Sequence, residues 1–281
     1  IVDSEIKIAE FSGKFSLDAQ WARLDNSIRI SSKESIYNQP YDRLSSNLSF
    51  GRFLEVQIGD FFPQFTNLTI DGKRVRGLGL DVDFNWLRFQ LINGELNRAV
   101  QRKSGINGAY NLLYDLTDNE TDGTKTYYLD RTGFEFKRGI YGARLSTNLF
   151  KKVELGAHLL KIRDDTTSVS REISDANFFV NSSIDGIKSG NYNLDTFQTQ
   201  LSLNNHNLFA PSSNWKGTKP QDNLIVGFNI GTFLDDRKIA IDFDWNLSLY
   251  NKDIWDGALS IAQLDTSIDD SLDGFIGRSY D

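Results

Sequence analysis

An all-β, antiparallel chain is the architecture this sequence predicts, and three observations carry it. Apolar and polar residues alternate strictly over segments of about ten residues, the mark of strands with two unlike faces. Helical periodicity is nearly absent. Very short connections alternate with long segments rich in Asn, Asp, Ser, Thr and Gly, which an ordinary sheet domain rarely needs.

Taken in chain order, Phe11, Phe15, Leu17, Ala19 and Trp21 alternate with Ser12, Lys14, Ser16, Asp18 and Gln20. This reads as one two-faced strand, or as a hairpin if Ser12-Gly13 turns. Residues 48–58 read as one strand on Leu48, Phe50, Leu54, Val56 and Ile58, with Arg52 intruding on the apolar side. Next, Leu80, Val82 and Phe84 oppose Asp81 and Asp83, Asn85-Trp86 turns, and Leu87, Phe89 and Leu91 return against Arg88 and Gln90.

A longer hairpin occupies 141–161. Tyr141, Ala143, Leu145, Thr147 and Leu149 share a face with Val153, Leu155, Ala157 and Leu159, Phe150-Lys151-Lys152 turns, and Arg144, Ser146, Glu154 and His158 lie opposite. The clearest hairpin is 223–250. Ile239, Ile241, Phe243, Trp245, Leu247 and Leu249 form its greasy face, Asp242 and Asp244 its polar one, and Asp235-Asp236-Arg237 its turn. Within the long segments 100–131 and 165–222, further strands are expected at 125–137 and 196–203. The connections 23–45 and 59–74 are both of appreciable length and break the alternation of short and long.

Composition narrows the function classes. The 281 residues carry a net charge of −7, no Cys, no Met, four Pro and two His. Disulfides, thiol catalysis and Cys-ligated metals are excluded, and an enzyme would have to run on carboxylates. No nucleophile elbow, phosphate loop or HExxH motif is present, so a non-enzyme is expected. Scattered basic residues on an acidic chain match nucleic acid poorly. No apolar run reaches the length of a membrane helix. A chain that starts Ile1-Val2-Asp3 and lacks Met reads as processed or as an internal piece.

Two-faced strands build either a soluble β-sandwich, with apolar faces meeting inside, or a transmembrane β-barrel, with apolar residues toward lipid and polar ones toward a lumen. Strand length, the alternation of connections and aromatics near strand ends favour the barrel, of about 8 to 12 visible strands and whole or part of a larger one. On that reading 1–281 form a single β-barrel domain. Asp81, Asp83, Arg88, Arg144, Glu154, Asp242 and Asp244 are the expected lumen-facing residues. Phe84, Trp86, Tyr141, Phe150, Phe243 and Trp245 are the expected lipid-facing or girdle residues.

In general style, 141–167 and 223–250 resemble bacterial outer-membrane β-barrel proteins. The likeness is architectural and transfers no functional residue, but it implies location in the bacterial outer membrane with its lipid as partner. One departure is that the chain ends Ser279-Tyr280-Asp281, without the terminal aromatic that such barrels usually carry. The expected function is a polar-lined pore for solutes. The alternatives are a scaffold or export component that binds protein partners through 100–131 and 165–222, and a secreted glycan-binding sandwich using Trp215 and Trp255. Asp118, Glu120 and Asp122 are spaced like the first half of a calcium loop but lack its closing Glu, Leu129 standing there instead. Calcium is therefore a weak expectation, and no other cofactor is foreseen. Lys73, Arg74 and Arg76 follow Asp71-Gly72 as a basic loop tip that could meet lipid phosphates or narrow a pore.

Overall fold

Most segments of alternating residues form strands, because side chains with period two can separate into an apolar and a polar set only on a pleated ribbon. The computed structural model describes residues 10–34, 37–101, 110–114, 125–149, 152–173, 177–184, 186–208, 218–234 and 239–255. Ten strands pair in one antiparallel meander: β1 (Glu10–Asp18), β2 (Ala22–Ser31), β3 (Arg43–Phe50), β4 (Leu54–Phe61), β5 (Val75–Asp83), β6 (Leu87–Asn97), β11 (Arg138–Leu149), β12 (Val153–Asp164), β16 (Asp222–Leu234) and β17 (Ile239–Asn251). The sheet curls into a half-barrel, with β1 and β17 as its edges.

One sequence expectation changes here, and one left between two alternatives is decided. Residues 48–58 are not one strand: Gly51, at φ 56°, begins a turn through Arg52 and Phe53 that separates β3 from β4. Arg52 intrudes on the apolar side because it sits in that turn. Ser12-Gly13, by contrast, does not turn, and β1 is a single strand, but it ends at Asp18, so that Ala19 and Trp21 lie in the turn to β2 and not on the strand expected to include them.

With β2 and β3 in place, the alternation of short and long connections holds along all ten strands. At one end of the sheet lie the strand ends Asp18 and Ala22, Phe50 and Leu54, Asp83 and Leu87, Leu149 and Val153, and Leu234 and Ile239; at the other lie Ser31 and Arg43, Phe61 and Val75, Asn97 and Arg138, and Asp164 and Asp222. Neighbouring short turns are joined by backbone hydrogen bonds, Gly51 N–H to Trp21 O, Asp83 N–H to Phe53 O and Asn148 N–H to Trp86 O. Asn85 supports its turn at φ 67°, a left-handed conformation that Asn tolerates. The turn residues expected at Phe150, Lys151 and Asp235–Arg237 lie outside the described residues.

The described parts of the two longest connections form further elements. From the first come β7 (Val100–Gln101), β8 (Tyr110–Tyr114), β9 (Lys125–Arg131) and β10 (Phe134–Glu135). From the second come β13 (Phe178–Asn181), β14 (Gly190–Tyr192), α1 (Leu194–Leu203) and β15 (His206–Leu208). β7 and β10 pair with each other, while a five-stranded sheet in the order β14-β13-β8-β9-β15 interleaves the two connections through parallel pairs β13·β8 and β15·β9. Its core holds Tyr110, Leu112, Leu129, Phe178, Val180, Phe197 and Leu201.

The strand expected at 196–203 is a helix. Asn193 caps it by accepting from Thr196 N–H at 2.8 Å, Asp195 favours the positive N-terminus, and Phe197 and Leu201, one turn apart, are both buried. The strand expected within 125–137 is present as β9, followed by the short β10.

Candidate functional site

The central strands of the large sheet turn their polar face inward, while on the edge strands β1 and β17 residues of both faces are exposed. On β11, Arg144 and Ser146 are 9% and 4% exposed, whereas their apolar neighbour Leu145 is 50% exposed. On β12, His158 is buried beside the more exposed Leu159. Register extends the apolar face through Phe11, Phe15, Leu17, Ile28, Leu44, Ile58 and Leu78 to Ile241, Phe243 and Leu247, all exposed. A soluble monomer rarely exposes an apolar surface of such reach.

A belt of side-chain bonds crosses the polar face. Asn47 and Gln57 both donate to Glu55 Oε1 at 2.7 Å. Arg88 Nε contacts both oxygens of Asp81, at 3.0 and 3.1 Å, and Gln90 donates to the same carboxylate. Arg144 then spans three strands, reaching Gln90 at 3.4 Å, Glu154 at 2.9 Å and Asn229 at 3.4 Å. His158 Nε2 meets Asn246 Oδ1 at 2.5 Å, and Asn246 donates to Asp244 at 3.0 Å. Arg suits this role because its planar fork serves several acceptors at once. Glycines make room for the long side chains: a Cβ on Gly227 would lie 2.1 Å from Asn246 Oδ1 and 2.6 Å from His158 Nε2.

The expected polar-face residues therefore stand together. Asp81, Arg88, Arg144 and Glu154 form the centre of the belt, and Asp244 belongs to its β17 end. Asp242 shares its face opposite Gly231, while Asp83 lies opposite Arg88 and accepts from the turn N–H of Asn85 at 2.7 Å. Asn47, Glu55, Gln57, Gln90, Asn229 and Asn246 complete the network. Their polar-face parity was readable in the sequence, but their pairing needed the register.

The expected apolar-face residues separate into two groups. Phe84 and Trp86 are exposed in a short turn, as are Trp21 and Phe53 in theirs, with Trp21 stacked on Phe50 at 6.1 Å. Tyr141 lies toward the other end of β11. Phe243 and Trp245 sit in mid-strand and pack on Phe228 instead of marking a rim. Phe150 lies outside the described residues.

A hairpin of the 62–74 connection covers part of the polar face, a feature that alternation could not reveal. Phe65 N–H donates to Ile70 O, and the hydroxyls of Thr66 and Thr69 are 3.0 Å apart. Phe65 and Ile70 are buried with Phe61, Val75, Ile92, Ile140 and Leu160. Between hairpin and sheet lies a cavity of about 390 Å³, reaching Glu55, Gln57, Asp81, Arg88, Gln90 and Arg144.

The basic tip is corrected. Arg76 belongs to β5 and binds the buried Asp60 through two hydrogen bonds, 3.2 and 3.1 Å, while Arg74 lies 3.9 Å from the same carboxylate. Trp255 is no open platform for a sugar, since it packs edge-on against Phe136 at 5.4 Å and under the Arg171 guanidinium. Trp215 and the acidic run Asp118, Glu120 and Asp122 lie outside the described residues. Among the described residues no group of three or more His, Asp or Glu could hold a metal.

At the long-connection end, carboxylates fasten the chain. Burial opposes ionisation of Glu34, but N–H donors of Asp42 and Tyr41 and the Arg98 guanidinium hold it below the usual carboxylate range. Thr167 does the same for Asp165 through its hydroxyl and backbone N–H. For Asp253, burial is outweighed by Lys219 and the Trp255 N–H. A carboxylate with a lowered folded value stabilises above its unfolded value, and that contribution is lost as pH falls through the folded one. Acidification below about pH 4 is therefore expected to loosen the segments around Glu34, Asp165 and Asp253, read as a rise in their hydrogen-exchange signal, before the far-UV strand signal falls. Both changes appearing together would contradict this order.

Comparison with family models, curated proteins and solved structures found no match to this chain.

Proposed function

We propose that this chain is part of the wall of an outer-membrane β-barrel, whose polar face lines a passage for polar solutes. The observation that carries the reading is the inversion of burial: Arg144, Ser146 and His158 are enclosed, while Leu145, Leu159 and Phe243 face outward from the same sheet. Water favours the reverse arrangement, and lipid around a wet interior favours this one. Short turns all at one end, long connections all at the other, and exposed aromatics toward both ends agree with it. In hydrocarbon the backbone edges of β1 and β17 must be paired, so closure joins them to each other or to further strands.

Stable conductance steps are expected when the purified chain is inserted in a planar bilayer, and a folded, inserted protein without steps would remove the pore reading. Among the described residues from β4 to β17, the polar face carries the carboxylates Glu55, Asp81, Asp83, Glu154, Asp164, Asp242 and Asp244 against the cations Arg88, Arg138 and Arg144. A reversal potential favouring cations is expected in a salt gradient. Asp242→Lys with Asp244→Lys should move it toward anions, because fixed charge in a narrow passage sets counter-ion concentration.

A second reading is favoured by the interleaved unit, which has its own sheet, helix and core. A barrel serving as a scaffold for export or assembly would present such a body to partners. It would insert in bilayers without conducting.

A further inference from the structure

The geometry points to the cavity beneath the 62–74 hairpin as a binding site for a neutral sugar, a mono- or disaccharide. This rests on the pore reading and names the solute class for it. The volume of about 390 Å³ falls in the range of about 300–1,000 Å³ usual for small-molecule sites. Its charged groups are largely paired within the protein: Asp81 with Arg88, Glu55 with the amides of Asn47 and Gln57, and Arg144 with Glu154. A free anion would meet Glu55, Asp71 and Asp81, and a cation would have to displace Arg88 from Asp81 or the amides from Glu55, with Asp71 left to it only on the exposed hairpin. A neutral polyhydroxylated ring fits both halves of the lining, since its hydroxyls can donate to carboxylate and amide oxygens while its C–H face lies against an aromatic ring. Phe62 lines the cavity and is 55% exposed.

A second observation asks for a ligand acceptor. The Arg144 side chain is 10% exposed and lines the cavity, and its Nε–H is buried without a protein hydrogen-bond partner. A buried guanidinium N–H is costly to leave unpaired, and a turn of the Arg144 guanidinium toward a sugar hydroxyl in the cavity would give it the oxygen it lacks.

The test uses the full chain in a detergent without a sugar headgroup, titrated with maltose, gluconate and glucosamine by calorimetry. Maltose is expected to saturate, with the charged analogues binding more weakly. Arg144→Gln should weaken maltose by about tenfold or more. Asn67→Trp, at an exposed hairpin position that lines the cavity, should fill its mouth and abolish binding without disturbing the sheet. Absence of saturation by maltose, equal binding of gluconate or glucosamine, or unchanged binding in Asn67→Trp would overturn the assignment. Bilayer conductance separates the two readings: a conducting barrel that ignores maltose removes the sugar site alone, whereas a maltose-binding barrel that never conducts removes the pore and keeps the site.

Discussion

Leu145→Arg is expected to destabilise the folded protein by about 2–4 kcal/mol in lipid vesicles, the cost of a cation near the middle of a strand that faces lipid in the proposed barrel. Leu145 lies near the centre of β11, 50% exposed and opposite Ala157 and Phe89 on the apolar face. In water the same substitution at a half-exposed position would change stability by no more than about 0.5 kcal/mol. The two environments thus give different results for one side chain. Urea titration of protein folded into vesicles measures the difference. A variant as stable as the parent there would remove the membrane reading, whatever the shape of the sheet.

Phe197→Ala is expected to cost about 3–5 kcal/mol, because it empties a fully buried aromatic site. Phe197 is 0% exposed and meets Phe178 and Tyr192 edge-on, with ring centroids 6.1 and 5.2 Å away. Its neighbours belong to the five-stranded sheet, so the loss should fall on the interleaved unit while the meander keeps its hairpins. Hydrogen exchange is expected to accelerate across β8, β9, β13 and α1 and to remain slow in β11, β12 and β16. Uniform acceleration would show that the two sheets unfold as one cooperative body. Because both long connections leave the same end of the meander, single-channel conductance should rise when the unit opens, and an unchanged conductance would separate the unit from the passage.

The two long hairpins were legible from sequence to within a few residues because each alternates without interruption, so the pairing 141–161 follows from a single turn. Residues 48–58 misled for a local reason: Leu48, Phe50, Leu54, Val56 and Ile58 keep even parity across the Gly51–Phe53 turn, and only the backbone conformation separates two strands there. The helix at 194–203 escapes the alternation pattern because Phe197 and Leu201 are four residues apart, which is one helical turn and also one strand parity, a spacing that both periods accept. The candidate site was half legible. Asp81, Arg88, Arg144, Glu154, Asp242 and Asp244 could be assigned to one face from parity, but parity says nothing about neighbours across strands.

By itself the sequence determined that the chain is built of two-faced antiparallel strands and which side chains share a face, since alternation at period two is a property of the covalent order. Tertiary structure decided which face is enclosed, how Arg144 joins Gln90, Glu154 and Asn229, and that the 62–74 hairpin covers the polar face beside them. It also decided that two distant connections interleave in one sheet. These outcomes depend on register, curvature and contacts between residues far apart in the chain, which local residue patterns do not specify.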